Sequence, residues 1–174
     1  NQTSTISVRV TGVSGDFISD YVRDVMPVLS KLGCNAGTCH GSKDGRNGFK
    51  LSLRGYDPIY DVRAFTDDLA SRRVNIAAPD NSLILLKSSA AVPHEGGQLT
   101  KMGEDYYEIL KSWISNGAKL DTGSVRVASI ELFPRNSVVQ KIGDQQQMRV
   151  IATYANGEKR DVTAESFIET GNSD

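Results

Sequence analysis

The stretch Cys34-Asn35-Ala36-Gly37-Thr38-Cys39-His40 holds both cysteines of the chain and one of its two histidines. A Cys-His dipeptide with a second Cys shortly upstream suits covalent haem attachment. Two thiols add across the porphyrin vinyl groups, and the adjacent imidazole ligates the iron. The usual spacing is C-x-x-C-H, whereas here it is C-x4-C-H. On an ideal helix, the step from Cys34 to Cys39 rotates the two sulfurs off one face. The intervening residues must therefore leave helical geometry, which Gly37 and Asn35 tolerate better than most. Two other chemistries fit the same residues. A Cys34–Cys39 disulfide suits an oxidising compartment but leaves His40 unexplained. Cys34, Cys39, His40 and His94 also make a Cys2His2 metal set, although a His directly after the second Cys departs from the usual finger pattern.

With 174 residues, the chain has room for one domain or two small ones. Hydrophobic residues make up 39% and charged residues 24%, the composition of an ordinary globular protein. A net charge of -1 gives no electrostatic reason for a nucleic-acid or anionic-membrane partner. No apolar run approaches the length of a membrane span. The polar opening at Asn1 reads as a piece of a longer precursor, with any targeting segment upstream. Haem attachment of this kind takes place outside the cytoplasm, so a periplasmic or otherwise extracytoplasmic location follows from that reading.

Around the motif, the pattern is helical with glycine breaks. Phe17, Tyr21, Val25, Val28, Leu29 and Leu32 give a helical face, and Gly33 closes it just before Cys34. Residues 41–48 are a glycine-rich loop, while Phe49, Leu51 and Leu53 alternate over a short extended segment. Asp57-Pro58 and Pro79-Asp80-Asn81-Ser82 are helix starts. Residues 90–102, with His94, Gly96 and Gly97, are irregular. Residues 104–115 carry the clearest helix, with Tyr106, Tyr107, Ile109, Leu110, Trp113 and Ile114 on its apolar face and Gly117 at its end. This predicts a mainly α unit over residues 16–120, with a buried haem supplying much of the core.

The flanks are β-patterned. Ile6, Val8 and Val10 alternate in residues 1–15, which read as a strand: the tail of a preceding domain or a partner for later strands. Residues 124–174 predict strands at 125–133, around Met148, Val150, Ala152 and Tyr154, and near Phe167, with a hairpin at Asn156-Gly157. So short a segment cannot supply the roughly seven strands of an Ig-like sandwich, so it reads as an incomplete all-β Ig-like domain.

The run Val25-Met26-Pro27-Val28-Leu29-Ser30-Lys31-Leu32-Gly33 followed by the cysteine motif and Gly41 resembles the cytochrome c-like domain of large planctomycete-type proteins. So do Gly48-Phe49-Lys50-Leu51-Ser52-Leu53-Arg54-Gly55, Arg72-Arg73-Val74, Pro93-His94-Glu95-Gly96-Gly97 and Trp113-Ile114-Ser115-Asn116-Gly117-Ala118. Tyr154-Ala155-Asn156-Gly157 and Arg160-Asp161-Val162-Thr163 are similar to the start of a bacterial group 2 Ig-like domain. The resemblance implies a cytochrome c-like fold with one haem c, bonded through Cys34 and Cys39 and ligated by His40. In related domains, a Met-Pro-Pro element precedes the Trp-Ile helix. Aligned on Leu99-Thr100 and Trp113-Ile114, that distal position falls at His94, with Met102 as the alternative ligand. Arg72, Arg73 and Lys101 are candidates to hold haem propionates, since buried carboxylates want cationic donors.

These expectations describe an electron-transfer module with bis-His iron, a redox partner protein of unknown identity and further domains of a parent polypeptide. It is not an enzyme on its own, for the chain has no nucleophile triad, phosphate loop or zincin motif. The rivals are an interaction module stabilised by a Cys2His2 metal or a disulfide, and a haem sensor with a displaceable distal ligand.

Overall fold

Asp20 opens the first helical segment, its carboxylate accepting the Arg23 backbone N–H at 2.7 Å. In the computed structural model, which describes residues 3–10, 17–68 and 72–171, a π-helical turn over Tyr21–Val25 runs into α1, Met26–Lys31. Gly33, at φ +76°, ends α1. Its N–H bonds Ser30 O at 3.0 Å and the Cys34 N–H bonds Leu29 O at 2.9 Å, the paired bonds of a Schellman stop. Helix α2 spans Pro58–Thr66, with Asp57 capping the Tyr60 N–H. Helix α3 spans Leu83–Ser88 after a 3-10 turn at Pro79–Asn81, and α4 spans Asp105–Ser115.

The mainly helical cytochrome c-like fold expected for residues 16–120 is not what forms. The four α-helices have only 6, 9, 6 and 11 residues, and a small three-stranded antiparallel sheet accompanies them. The physical reason lies in the glycine- and Asp-rich linkers, whose backbone groups bond in local turns rather than helical ladders. Arg46 and Phe49 exchange two backbone bonds of 2.9 Å, and the Leu51 N–H reaches His40 O at 2.8 Å. Phe17, placed on the helical face by periodicity, is instead exposed.

The core is built around Tyr21, Leu29, Phe65, Leu110 and Trp113, all buried. Trp113 meets Tyr21 at 5.2 Å and Phe65 at 5.8 Å between ring centroids, and its indole N–H donates to Lys119 O at 2.9 Å. Asp80 ties α4 to the turn before α3. It accepts Lys111 Nζ and Tyr107 OH, each at 2.8 Å. The Lys111 bond, then that of Tyr107, holds the Asp80 carboxyl below its ordinary value of 3.8. The stabilisation is therefore complete above that value and is lost as pH falls through the lower folded one. Asp80→Asn is expected to lower the urea midpoint at neutral pH, by a small amount because the pair is partly exposed, with the effect shrinking as the pH falls below the ordinary value of 3.8.

Strands β1 (Val127–Phe133), β2 (Arg149–Tyr154) and β3 (Lys159–Asp161) form the sheet in that order. Gly157, at φ +84°, makes the β2–β3 turn. No strand forms near Phe167, where one was expected, and residues 3–10, also expected as a strand, join no ladder among the described residues. Val150, Ala152 and Tyr154 are buried on one face of β2. Arg160 pairs with Ala152 in the ladder and so stands on that same face. From there it reaches Asp24, a carboxylate with no exposed surface, in the π-helical turn. Lys31 Nζ to Ser166 O (2.5 Å), Tyr106 OH to Ala164 O (2.7 Å) and Ser124 Oγ to Asp20 (2.7 Å) complete the seam.

Candidate cofactor site

Immediately after the α1 stop, the chain makes a compact loop that carries the motif. The Cys39 N–H bonds Ala36 O at 2.9 Å, and the His40 N–H bonds Cys34 O at 3.0 Å, so the first Cys and the His are tied back to back. The glycine that matters for this loop is not Gly37, whose φ is not positive and where an added Cβ would meet only Leu53, at an ordinary 3.7 Å. It is Gly41, where a Cβ would fall 2.1 Å from Asn35 O. Asn35 is buried with its amide on Ser30 Oγ at 2.9 Å, so it braces the loop against α1.

Cys34, Cys39, His40 and His94 all border one cleft of about 1110 Å³. That exceeds the roughly 300–1,000 Å³ of ordinary small-molecule sites. Leu29, Leu51, Phe65, Ile84, Leu99 and Leu110 contribute its apolar wall. Both thiols are free. Burial, reinforced by the neighbouring Cys39, pushes the Cys34 thiol up to about 12. No group of three or more His, Cys, Asp or Glu among the described residues is arranged to hold a metal ion. The four cysteine and histidine residues frame a broad apolar cleft, a shape suited to an extended organic ligand.

The two imidazoles share one device. His40 Nδ1 lies 3.1 Å from Phe49 O, and His94 Nδ1 lies 3.1 Å from Gly97 O. A carbonyl can only accept, so each Nδ1 carries a proton, and in the neutral ring that leaves the Nε2 lone pair for a ligand bond. Burial depresses the His40 pKa, and the nearby His94, Arg73 and Arg46 add to that, against the raising effect of the Phe49 bond. The ring is thereby held neutral, the form that binds metal. His40 packs at a tilt against Phe49, 4.7 Å between ring centroids, Phe49 lies 5.1 Å from Phe65, and Phe65 continues to Trp113. His40 is thus seated on the core. His94 depends on Gly96, where a Cβ would come 2.8 Å from its Cε1.

The remaining expected residues separate. Met102 is 69% exposed in the turn before α4 and does not border the cleft. Arg73 borders the cleft, but its guanidinium is engaged. It donates to Ala64 O at 2.9 Å and Gly48 O at 2.8 Å, pairs with Asp68 at 3.3 Å and lies over the Phe49 ring. Its charge disfavours protonation of the nearby His40. Arg72 is exposed at the rim, and Lys101 is exposed away from the cleft. Arg46 and Lys87, which sequence reading missed, also border it. Arg46 holds Thr38 O at 3.2 Å, and Lys87 holds Pro93 O at 2.5 Å, one bracing each histidine-bearing segment. Neither carried a sequence signal, since their place comes from how the turns fold together.

No helix among the described residues is long and apolar enough to cross a membrane. Comparison with protein-family models, with curated proteins and with solved structures finds no match to this chain.

Proposed function

We propose that the chain is an extracytoplasmic electron-transfer module carrying one haem c, bonded through Cys34 and Cys39. His40 is the proximal ligand and His94 the distal one. The observation that carries this reading is the convergence of both thiols and two Nδ1-anchored imidazoles on one apolar cleft. The fit rests on the donor set: two thiols that would form thioether bonds and two Nδ1-anchored imidazoles whose Nε2 atoms would hold the iron. Bound there, haem supplies reversible one-electron chemistry.

The chain's own residues do the rest. Phe49 O and Gly97 O fix the imidazole tautomers, and the leucine and phenylalanine walls exclude water. Arg46, Arg72 and Lys87 offer cations for the propionates at the rim. With two histidines available, the site has no position reserved for a substrate, so the reading is of an electron carrier with a protein redox partner. Such attachment requires maturation outside the cytoplasm, which places the module in the periplasm or an equivalent compartment.

The alkaline pyridine haemochrome spectrum tests the two-thioether attachment. The wild-type protein is expected to give the band of a haem with both vinyl groups saturated, and Cys34→Ala to shift it to the single-thioether position. A band that does not move in Cys34→Ala contradicts the reading.

A further inference from the structure

Two apolar surfaces outside the cleft are unpartnered in this structure. The arm of residues 3–10 belongs to no helix or strand, and its Ile6, Val8 and Val10 are 84%, 81% and 69% exposed. Strand β1 lies at the end of the sheet order, so among the described residues only one of its edges is paired. Ile130 and Leu132 stand opposite Ala152 and Val150, on the face that buries those residues, yet they are 68% and 40% exposed. The apolar face therefore continues past β2 onto an edge with free backbone donors and acceptors, the usual template for strand addition.

The arm fits that edge in period and in charge. Its apolar residues alternate with Ser7 and Arg9, just as Ile130 and Leu132 alternate with Ser129 and Glu131. Antiparallel pairing that puts both apolar rows on one face sets Arg9 opposite or diagonal to Glu131 on the other. Among the described residues of the single chain, Glu131 pairs with the exposed neighbour Arg135 alone, a weak interaction at the surface. The arm forms no ladder with its own β1, so both surfaces are open at once to a second copy. We propose that two copies exchange arms, residues 5–10 of each adding as a fourth strand to the β1 edge of the other. Such an exchange is reciprocal, and one two-fold axis closes it.

Sedimentation equilibrium of the full chain over a concentration series tests this. The wild type is expected to be a dimer, and Val8→Asp, on an exposed residue that leaves the monomer's core intact, to raise the dissociation constant by roughly tenfold or more. Arg9→Glu is expected to weaken the dimer and Arg9→Glu with Glu131→Arg to restore it. A wild type that stays monomeric at every concentration, assembles beyond the dimer, or dimerises as well with Val8→Asp overturns the proposal.

Discussion

Arg160→Ala is expected to lower the stability of the chain by about 3 kcal/mol, because it strands a buried carboxylate without its cation. Asp24 has no exposed side-chain surface, while Arg160 retains 25%, which favours the lower end of the usual range. The remaining contacts of Asp24 are the Asp20 N–H at 2.8 Å and Arg23 Nε at 3.6 Å, too little to replace a guanidinium. Urea unfolding followed by fluorescence of Trp113, the sole tryptophan, reads the effect in the helical part while the substitution lies in β3. A lowered midpoint at that probe shows that the Arg160–Asp24 pair stabilises the helical part from the sheet. Asp24→Asn in the Arg160→Ala background is expected to recover much of the loss, since the stranded group is then neutral. An unchanged midpoint in Arg160→Ala contradicts the coupling.

His94→Ala is expected to convert the matured protein from low-spin to high-spin iron and to open it to carbon monoxide in the reduced state. The wild type, whose His40 and His94 would both hold the iron, is expected to resist carbon monoxide. The effect is large because Met102, the other distal ligand considered, is exposed and away from the cleft. Optical and magnetic spectra of the variant decide it. An unchanged low-spin spectrum in His94→Ala eliminates His94 as a ligand, and a matching change in Met102→Ala would point there instead.

What the sequence discloses follows the range of the interactions involved. Local chemistry reads well: Asp57-Pro58 starts α2, Gly33 stops α1, Asn156-Gly157 turns the hairpin, and the apolar stripe through Trp113 is α4. Fold class does not, because the helical periodicity read from Phe17 onward does not extend the first helix to that residue, and the glycine-rich linker of residues 41–55 satisfies its backbone in local turns. By residue type, Gly37 is the natural choice to accommodate the motif's extra residues. The constraint sits at Gly41, because the obstructing Asn35 carbonyl is visible only in three dimensions.

The site divides the same way. Cys34, Cys39 and His40 stand out because they are contiguous in the chain. The roles of Phe49, Arg46 and Lys87 arise from segments brought together by folding. Arg73 illustrates the converse: an arginine that reads as a free cation is enclosed by Ala64, Gly48, Asp68 and Phe49.

The most direct measurement is the intact mass of the chain after expression with haem-attachment machinery in an oxidising compartment. The account predicts a mass equal to the polypeptide plus one haem, retained under denaturing conditions and accompanied by a Soret band. A colourless product with the mass of the polypeptide alone would contradict it.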